Sequence, residues 1–592
     1  MVSLESRKLE SFLKLGVGIA LLVVINMLGS RYFHRFDLTS EGRYTIKPAT
    51  RTMLENLDDV VYVEVYLDGE LNSGFKRLQQ AVRETLEEFR IYSGNNVQYV
   101  FNDPSAAMGE NARAQFMQSL SQLGIQPTNI IEEKDGERNE RLIFPGAIVS
   151  YGGAERGVML LKGNQASSPD EKLNQSIEGV EYALASAIFE LTNIEQQQVG
   201  MVRGHGELDS LESAGFEQAI RDHYALRDVH LASDDLSMLS ALVIAKPEAQ
   251  FTEVEKYRLD QYLMNGGKIL MLIDKLQANM DSASNEFNYA FPFDLNIDDQ
   301  LFRYGIRVNN TLIQDASSAK YPIVTGQMGG QPQIQLIQWP FFPLINRFAD
   351  HPITNNLNAV KGRFMSTMDT VKAEGVIKTP LMFTSDYSRS INAPVKVSIQ
   401  DLRQNLTPEK LNQRNLPVAY LLEGGFRSLY ENRFKPGEVD ESAFVARAEQ
   451  GAKLLVIADG DIGRNDINPR TGMPQALGYD PFEETTFGNE DLLMNALHYM
   501  IDVKGLITAR NKEIAIRPLD RVKISEERRF WQFVNLVLPV IVIVLFGIVR
   551  HYSREPPITH FPGSIDCSRC SAWVDTAFEE PPGCGQGKIQ LR

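Results

Sequence analysis

The chain has 592 residues, which at roughly 100–200 residues per domain suggests about three or four folding units. Hydrophobic residues make up 43% and charged residues 23%, which excludes a wholly disordered chain, and a net charge of −16 argues against nucleic-acid binding, which needs clustered Lys and Arg. The three cysteines, Cys567, Cys570 and Cys584, all fall within the last 26 residues, so residues 1–566 offer no disulfide, no Cys nucleophile and no thiolate metal site.

Two apolar segments bracket the chain. The first, 13–30, follows a short N-terminal stretch, 1–12, and contains Lys14, whose ammonium can snorkel to lipid headgroups. Its uncharged run is only about 14 residues, so a signal-peptide core competes with an uncleaved anchor. No Ala-x-Ala pattern follows, and no Cys follows Leu28-Gly29-Ser30 to carry a lipid. The second segment, 530–549, is uncharged and long enough to span about 30 Å of hydrocarbon. Pro539 would kink it, and a buried core helix is the alternative reading. Two transmembrane helices would place both termini on one side and the body on the other. The expected arrangement is a cytoplasmic N-terminus, a large periplasmic body and a cytoplasmic C-terminus, in the inner membrane.

The first exterior domain is expected over 47–195. Residues 60–67 form a β-rich run closed by Asp68-Gly69. Phe75, Leu78, Val82, Leu86 and Phe89 recur at helical spacing up to Gly94. A strand over 97–101 follows, then a helix over 111–123 and hairpins at Asp135-Gly136 and Gly152-Gly153. Leu173, Ile177, Val180, Leu184, Ile188 and Leu191 mark a long amphipathic helix. This order resembles a thioredoxin-like fold. A redox role would need a Cys pair, so binding or scaffolding is the expected role, and a generic α/β domain is the alternative.

The second exterior domain is expected over 196–505. Strands are predicted at 199–202, 241–245 and 268–273, with helices between them. One helix has Phe216, Ala219 and Ile220 inward, and the next starts at a capping box, Thr252-Glu253-Val254-Glu255. The run 453–458 reads as a further strand of the same sheet. Strand–helix alternation predicts a doubly wound parallel sheet, as in class I glutamine amidotransferases, with 285–440 as an insertion of mixed structure. Ligands of such sheets bind beyond the carboxyl ends of strands. His205, Glu207, Asp274, Asp459 and Asp461 all fall at such ends and form a candidate polar crevice for a ligand or metal. The competing explanation is that Asp and Gly are common turn residues after strands.

No Gly-x-x-x-x-Gly-Lys-[Ser/Thr], His-Glu-x-x-His or Gly-x-Ser-x-Gly motif occurs, so no catalytic residue, cofactor or metal is assigned and the chain is expected not to be an enzyme. The aromatic segment Trp339-Pro340-Phe341-Phe342-Pro343 is either an exposed partner surface or packed under a loop.

Several stretches, in this order, carry a wider resemblance: Arg35-Phe36-Asp37-Leu38-Thr39 with Gly42-Arg43-Tyr44-Thr45; Tyr262-Leu263-Met264-Asn265-Gly266-Gly267-Lys268 running into Asp274; Phe348-Ala349-Asp350-His351-Pro352-Ile353-Thr354; Leu421-Leu422-Glu423-Gly424-Gly425-Phe426; Asp459-Gly460-Asp461; Gly478-Tyr479-Asp480-Pro481; and Gly488-Asn489-Glu490-Asp491 with Asn495. Over about 1–550 the chain resembles the gliding-motility-associated ABC-transporter substrate-binding subunits of Bacteroidetes, within a wider family of ABC-transporter auxiliary proteins. The resemblance implies a permease subunit and a cytoplasmic ATPase subunit as partners. It carries over no substrate or catalytic residue. A structural scaffold of an envelope or motility complex, or an envelope enzyme with a carboxylate-based site, are the alternatives. The tail, 551–592, departs from the pattern. It reads as a disordered or artefactual extension, with a zinc site on Cys567, Cys570, Cys584 and His560 as the competing reading.

Overall fold

The computed structural model describes residues 14–24, 26–27, 45–104, 110–134, 137–161, 169–193, 197–278, 280, 288–328, 331–399, 409–437, 443–448, 451–502, 505–506, 509 and 521–552. The cysteines and residues 31–44 of the resemblance lie outside the described residues. Met1–Ala515 forms one compact unit and Ile516–Arg592 another.

The first unit contains two lobes, each built on one sheet. In the first lobe, β1 (Val61–Val65), β2 (Val97–Phe101), β3 (Gly146–Tyr151) and β4 (Ala154–Met159) lie in the order β2-β1-β3-β4. β1 and β2 are parallel, whereas β3 runs antiparallel to both β1 and β4. A parallel pair needs a crossover, supplied here by helix α1 (Ser73–Tyr92). Asn72 caps α1 by accepting from the Phe75 N–H at 3.0 Å. Its five predicted apolar positions are buried, and the chain leaves it through left-handed Gly94 and Asn95. Those side chains share one core with Leu173, Val180, Leu184 and Ile188 of helix α2 (Pro169–Thr192). The strands Thr128–Lys134 and Glu137–Ile143 pair antiparallel, and their Asp135-Gly136 turn lies outside the described residues.

The second lobe holds an eight-stranded sheet. Its strands are β5 (Gln198–Val202), β6 (Ala225–Val229), β7 (Ala241–Ala245), β8 (Lys268–Leu272), β9 (Arg347–Phe348), β10 (Val376–Phe383), β11 (Pro417–Gly424) and β12 (Lys453–Ile457), in the order β9-β10-β11-β12-β8-β7-β5-β6. From β6 to β12 all neighbours are parallel. Helix α3 (Ala214–His223) buries Phe216 and Ile220 on one face of the sheet, together with helix α5 (Asn489–Ile501). Helix α4 (Glu253–Met264) buries Leu259 and Leu263 on the other face. Successive strand residues alternate between these two cores, Val243 and Leu270 in one, Leu242 and Ile269 in the other.

The sheet is therefore mixed, not parallel throughout as expected. The stretch 285–440, expected as an insertion of mixed structure, supplies β9, β10 and β11 to this sheet, all antiparallel to their neighbours. The cause lies in β11, where Val418, Ala419, Leu421 and Leu422 are all buried. A strand apolar on both faces must sit inside a sheet, and antiparallel pairing needs no crossover helix. The aromatic segment is packed rather than exposed. Trp339, Phe341 and Phe342 lie in the strand Gln331–Ile345 and form a satellite core with Leu312 and Phe364.

In the second unit, Glu527–His551 is the one described helix long and apolar enough to cross a membrane. A π-helical turn, Phe533–Val537, interrupts it just before Pro539. Proline has no N–H to offer the Asn535 carbonyl four residues back, and a widened turn absorbs the mismatch. Lys14–Val24 is a shorter apolar helix. Among the described residues the structure thus has one helix of crossing length where the sequence suggested two spans.

Candidate functional site

Four neighbouring parallel strands, β12, β8, β7 and β5, end side by side and are followed by Asp459, Asp274, Lys246 and His205. One carboxylate oxygen from each of Asp274, Asp459 and Asp461 lies within 4.8 Å of the others, and all three residues are buried. The backbone builds this cluster. Asp459 caps the short 3-10 turn Gly460–Gly463, accepting from the Asp461 N–H at 2.8 Å. Its second oxygen accepts from the Arg363 N–H at 2.6 Å. Asp274 accepts from the Gly460 N–H at 2.6 Å.

Lys246 stands at the centre of the cluster and was not foreseen. Its backbone is left-handed, with φ 59°, and its ammonium donates to Asp461 at 2.7 Å and lies 3.1 Å from Asp274. The approach is so close that a Cβ on Gly460 would fall 2.6 Å from Lys246 Cγ. Arg464 adds a second cation, reaching Asp461 at 3.4 Å and Glu212 at 2.6 Å. Arg363 pairs with Asp466 at 2.6 Å.

Three carboxylates in one buried space cannot all ionise freely, and their environments separate them. Burial pushes Asp274 upward, against the Lys246 charge. Burial and the neighbouring Asp274 and Asp461 charges push Asp459 well above the carboxylate range. Burial also opposes charge on Asp461, but Lys246, Arg363 and Arg464 outweigh it and hold its pKa below the ordinary value. Oxygen donors of this kind suit a hard divalent cation. Here a lysine ammonium already lies against two of them, so the arrangement fits an internal cation and a retained proton. Its chemistry is that of an ion-pair bracket joining the ends of β7, β8 and β12.

Of the five predicted residues, Asp274, Asp459 and Asp461 come together in this cluster, while His205 and Glu207 pair with each other. His205 is buried, stacked on Phe251 with ring centroids 4.0 Å apart. Its Nδ1 faces Glu207 at 3.1 Å and its Nε2 faces Glu255 at 3.2 Å. Burial disfavours its charge, yet the two carboxylates prevail and raise its pKa. Both ring nitrogens are engaged, which leaves none for a metal.

Other residues of the resemblance are also buried polar links. Lys361 pairs with Asp480 at 2.7 Å. The Asn489 amide accepts from the Lys361 N–H at 3.0 Å and donates to its carbonyl at 2.9 Å. Asn495 donates to the Ile353 carbonyl at 3.2 Å.

A mixed-sheet α/β body, on a chain that also carries an apolar helix of membrane-crossing length, defines a membrane-associated α/β protein. The family model described as an ABC-type uncharacterized transport system matches residues 196–496, just over half of the chain, and the chain belongs to this family of ABC-transporter auxiliary proteins. A second model, described as a domain of unknown function, matches residues 40–150. An uncharacterized protein of Borreliella burgdorferi is 22% identical over 553 residues, covering 91% of this chain and 96% of that protein. Among solved structures, the mmIFT52 N-terminal domain aligns at 14% identity over 51% of this chain and 97% of that domain, with a TM-score of 0.29.

Proposed function

We propose that the chain is a non-enzymatic auxiliary subunit of an ABC transporter, held in the inner membrane by two spans with its α/β body in the periplasm. The observation that carries this reading is the family match over 196–496 on the same chain as the apolar helix Glu527–His551. The sequence carries no phosphate-binding loop, which fits a reading in which ATP hydrolysis belongs to a separate subunit. A permease and an ATPase are therefore the partners, and neither nucleic acid nor a cofactor enters the reading. The inward-facing acidic cluster, neutralised by Lys246, supports a structural role over a catalytic one. In this reading the first lobe is thioredoxin-like and the parallel half of the second is amidotransferase-like. Both serve as binding or coupling modules. The association with gliding motility belongs to the same reading and rests on the sequence resemblance.

The test is a mild-detergent pull-down of this chain from native membranes, with co-purifying proteins quantified. Stoichiometric recovery of an ABC permease and its ATPase is expected. Recovery of neither, with the chain intact and folded, overturns the proposal.

A further inference from the structure

A cavity of about 730 Å³ lies in the second lobe, where two antiparallel strand pairs meet the start of β11. The pairs are Ile306–Val308 with Met368–Thr370, and Thr311–Asp315 with Ser388–Asn392. The volume falls within the range of about 300–1,000 Å³ typical of small-ligand sites. We propose that this cavity binds a neutral oligosaccharide.

Charge sets the class of ligand first. Four charged side chains line the cavity, and they close into two ion pairs. Lys275 Nζ donates to the two Asp298 oxygens at 2.8 and 2.6 Å, and Arg307 donates to Asp369 at 2.8 Å. The formal charge of the lining is therefore zero, and each cation already has its carboxylate. A charged ligand would have to break a pair to find a counter-ion, whereas a neutral one leaves both intact.

The neutral polar groups narrow the class. Some of them brace the wall. Asn309 donates to Thr367 at 3.1 Å and to Asp369 at 3.0 Å, and the Thr311 and Thr367 hydroxyls are joined at 2.9 Å. Two amides are left over. Asn310 and Asn392 line the cavity and are exposed, and among the described residues their side chains have no hydrogen-bond partner. Asn392 stands opposite Thr311 in the strand register, and the Ala393 N–H donates to the Asn310 carbonyl at 2.9 Å. The backbone thus fixes the two asparagines beside each other. Each amide offers two donors and an acceptor oxygen. An apolar ligand would cover these groups and strand them from water. Vicinal sugar hydroxyls donate to the amide oxygen and accept from its nitrogen at once, so the groups stay paired.

Phe302 completes the site. It belongs to the helix Asp298–Tyr304, which buries Leu301 and Tyr304 but leaves the Phe302 ring 52% exposed. The ring lines this cavity and also a neighbouring one of about 810 Å³, so it stands on the ridge between them. Covering an exposed ring removes apolar surface from water. The C–H face of a sugar unit does this while its hydroxyls remain at the rim. A ridge between two cavities favours a chain of sugars over a single one, with one unit on the ring and its neighbour against the asparagines. The inference rests on the cavity and not on the transporter reading, to which it would add a ligand class.

Isothermal titration of the full chain, in micelles of a sugar-free detergent, tests this with maltotriose, cellotriose and triacetylchitotriose. At least one is expected to bind with a Kd of about 1 mM or tighter. Phe302→Ala and the double variant Asn310→Ala, Asn392→Ala are each expected to weaken that binding by about fivefold or more. All three side chains are exposed, so both variants should keep the melting temperature of the unliganded chain. Failure of all three sugars to bind at that level to a folded chain overturns the proposal, as does a smaller loss in either variant. Binding is read on the purified chain alone, so its failure is distinct from a failure to recover permease and ATPase.

Discussion

Lys246 and Asp461 are 215 positions apart in the sequence, and the lysine ammonium donates to the aspartate carboxylate at 2.7 Å. The contact joins the loop after β7 to the loop after β12, across the end of β8 between them. It ties the ends of two parallel strands together within the cluster of strand-end residues. The second partner, Asp274 at 3.1 Å, makes the lysine a bridge over three strand ends.

Removing the ammonium should therefore be costly. Lys246→Met keeps the aliphatic stem but leaves Asp461 buried without its nearest cation. Breaking a buried pair from one side destabilises by about 3–5 kcal/mol. Denaturant unfolding, followed by a second-lobe probe such as Trp339 fluorescence, should show a loss of that size. A loss below about 1 kcal/mol would mean that the pair behaves like an exposed one.

Gly460→Ala tests the same bracket by shape rather than by charge. The added Cβ would fall 2.6 Å from Lys246 Cγ and 3.1 Å from Lys246 Cα. The second contact is with backbone, so rotating the lysine side chain does not relieve it. Overpacking of this kind costs about 1–3 kcal/mol. A wild-type melting temperature would show that the turn Gly460–Gly463 can shift freely, contrary to its role as a fixed clamp.

What was legible in the sequence was local or periodic. The capping box at Thr252 forms because Thr252 and Glu255 are three residues apart and need no distant partner. The strands after Gly267 and before Asp459 were legible because continuous apolar runs suit strands buried on both faces. Asp274, Asp459 and Asp461 were legible as strand-end residues, and their meeting follows from the parallel register of β8 and β12. Lys246 was not legible, since a lysine after a strand reads as surface until its partner 215 positions away is known. Glu255 was read only as a cap, yet it also faces His205. The placement of β11 was missed for a related reason. Its apolar run states that it is buried, but not which sheet buries it.

His351 gives a pH signature. Burial, aided by the Lys453 charge and opposed by Asp350, lowers its pKa from 6.5 to about 4. The unfolded chain then takes up this proton before the folded one does. The stability tied to neutral His351 is fully present above about pH 6.5 and is lost as pH falls through about 4. His351→Asn removes the titrating group and retains an acceptor for the Ile353 N–H, which His351 Nδ1 now accepts at 3.2 Å. Melting temperatures across pH 4–6.5 should fall less steeply on acidification in the variant than in the wild type. Identical slopes would remove His351 as a contributor.

The two-span reading separates cleanly from a single-span one by deletion. The helix Glu527–His551 is long enough to cross a bilayer alone, whereas Lys14–Val24 is short for the task without its flanking residues. With two spans, a chain ending before Glu527 stays in the membrane through its first segment, and a chain lacking residues 1–30 stays through its second. Only the double deletion should enter the soluble fraction after alkaline extraction. If loss of the C-terminal helix alone frees the body, the first segment does not anchor it, and the body is tethered at one end.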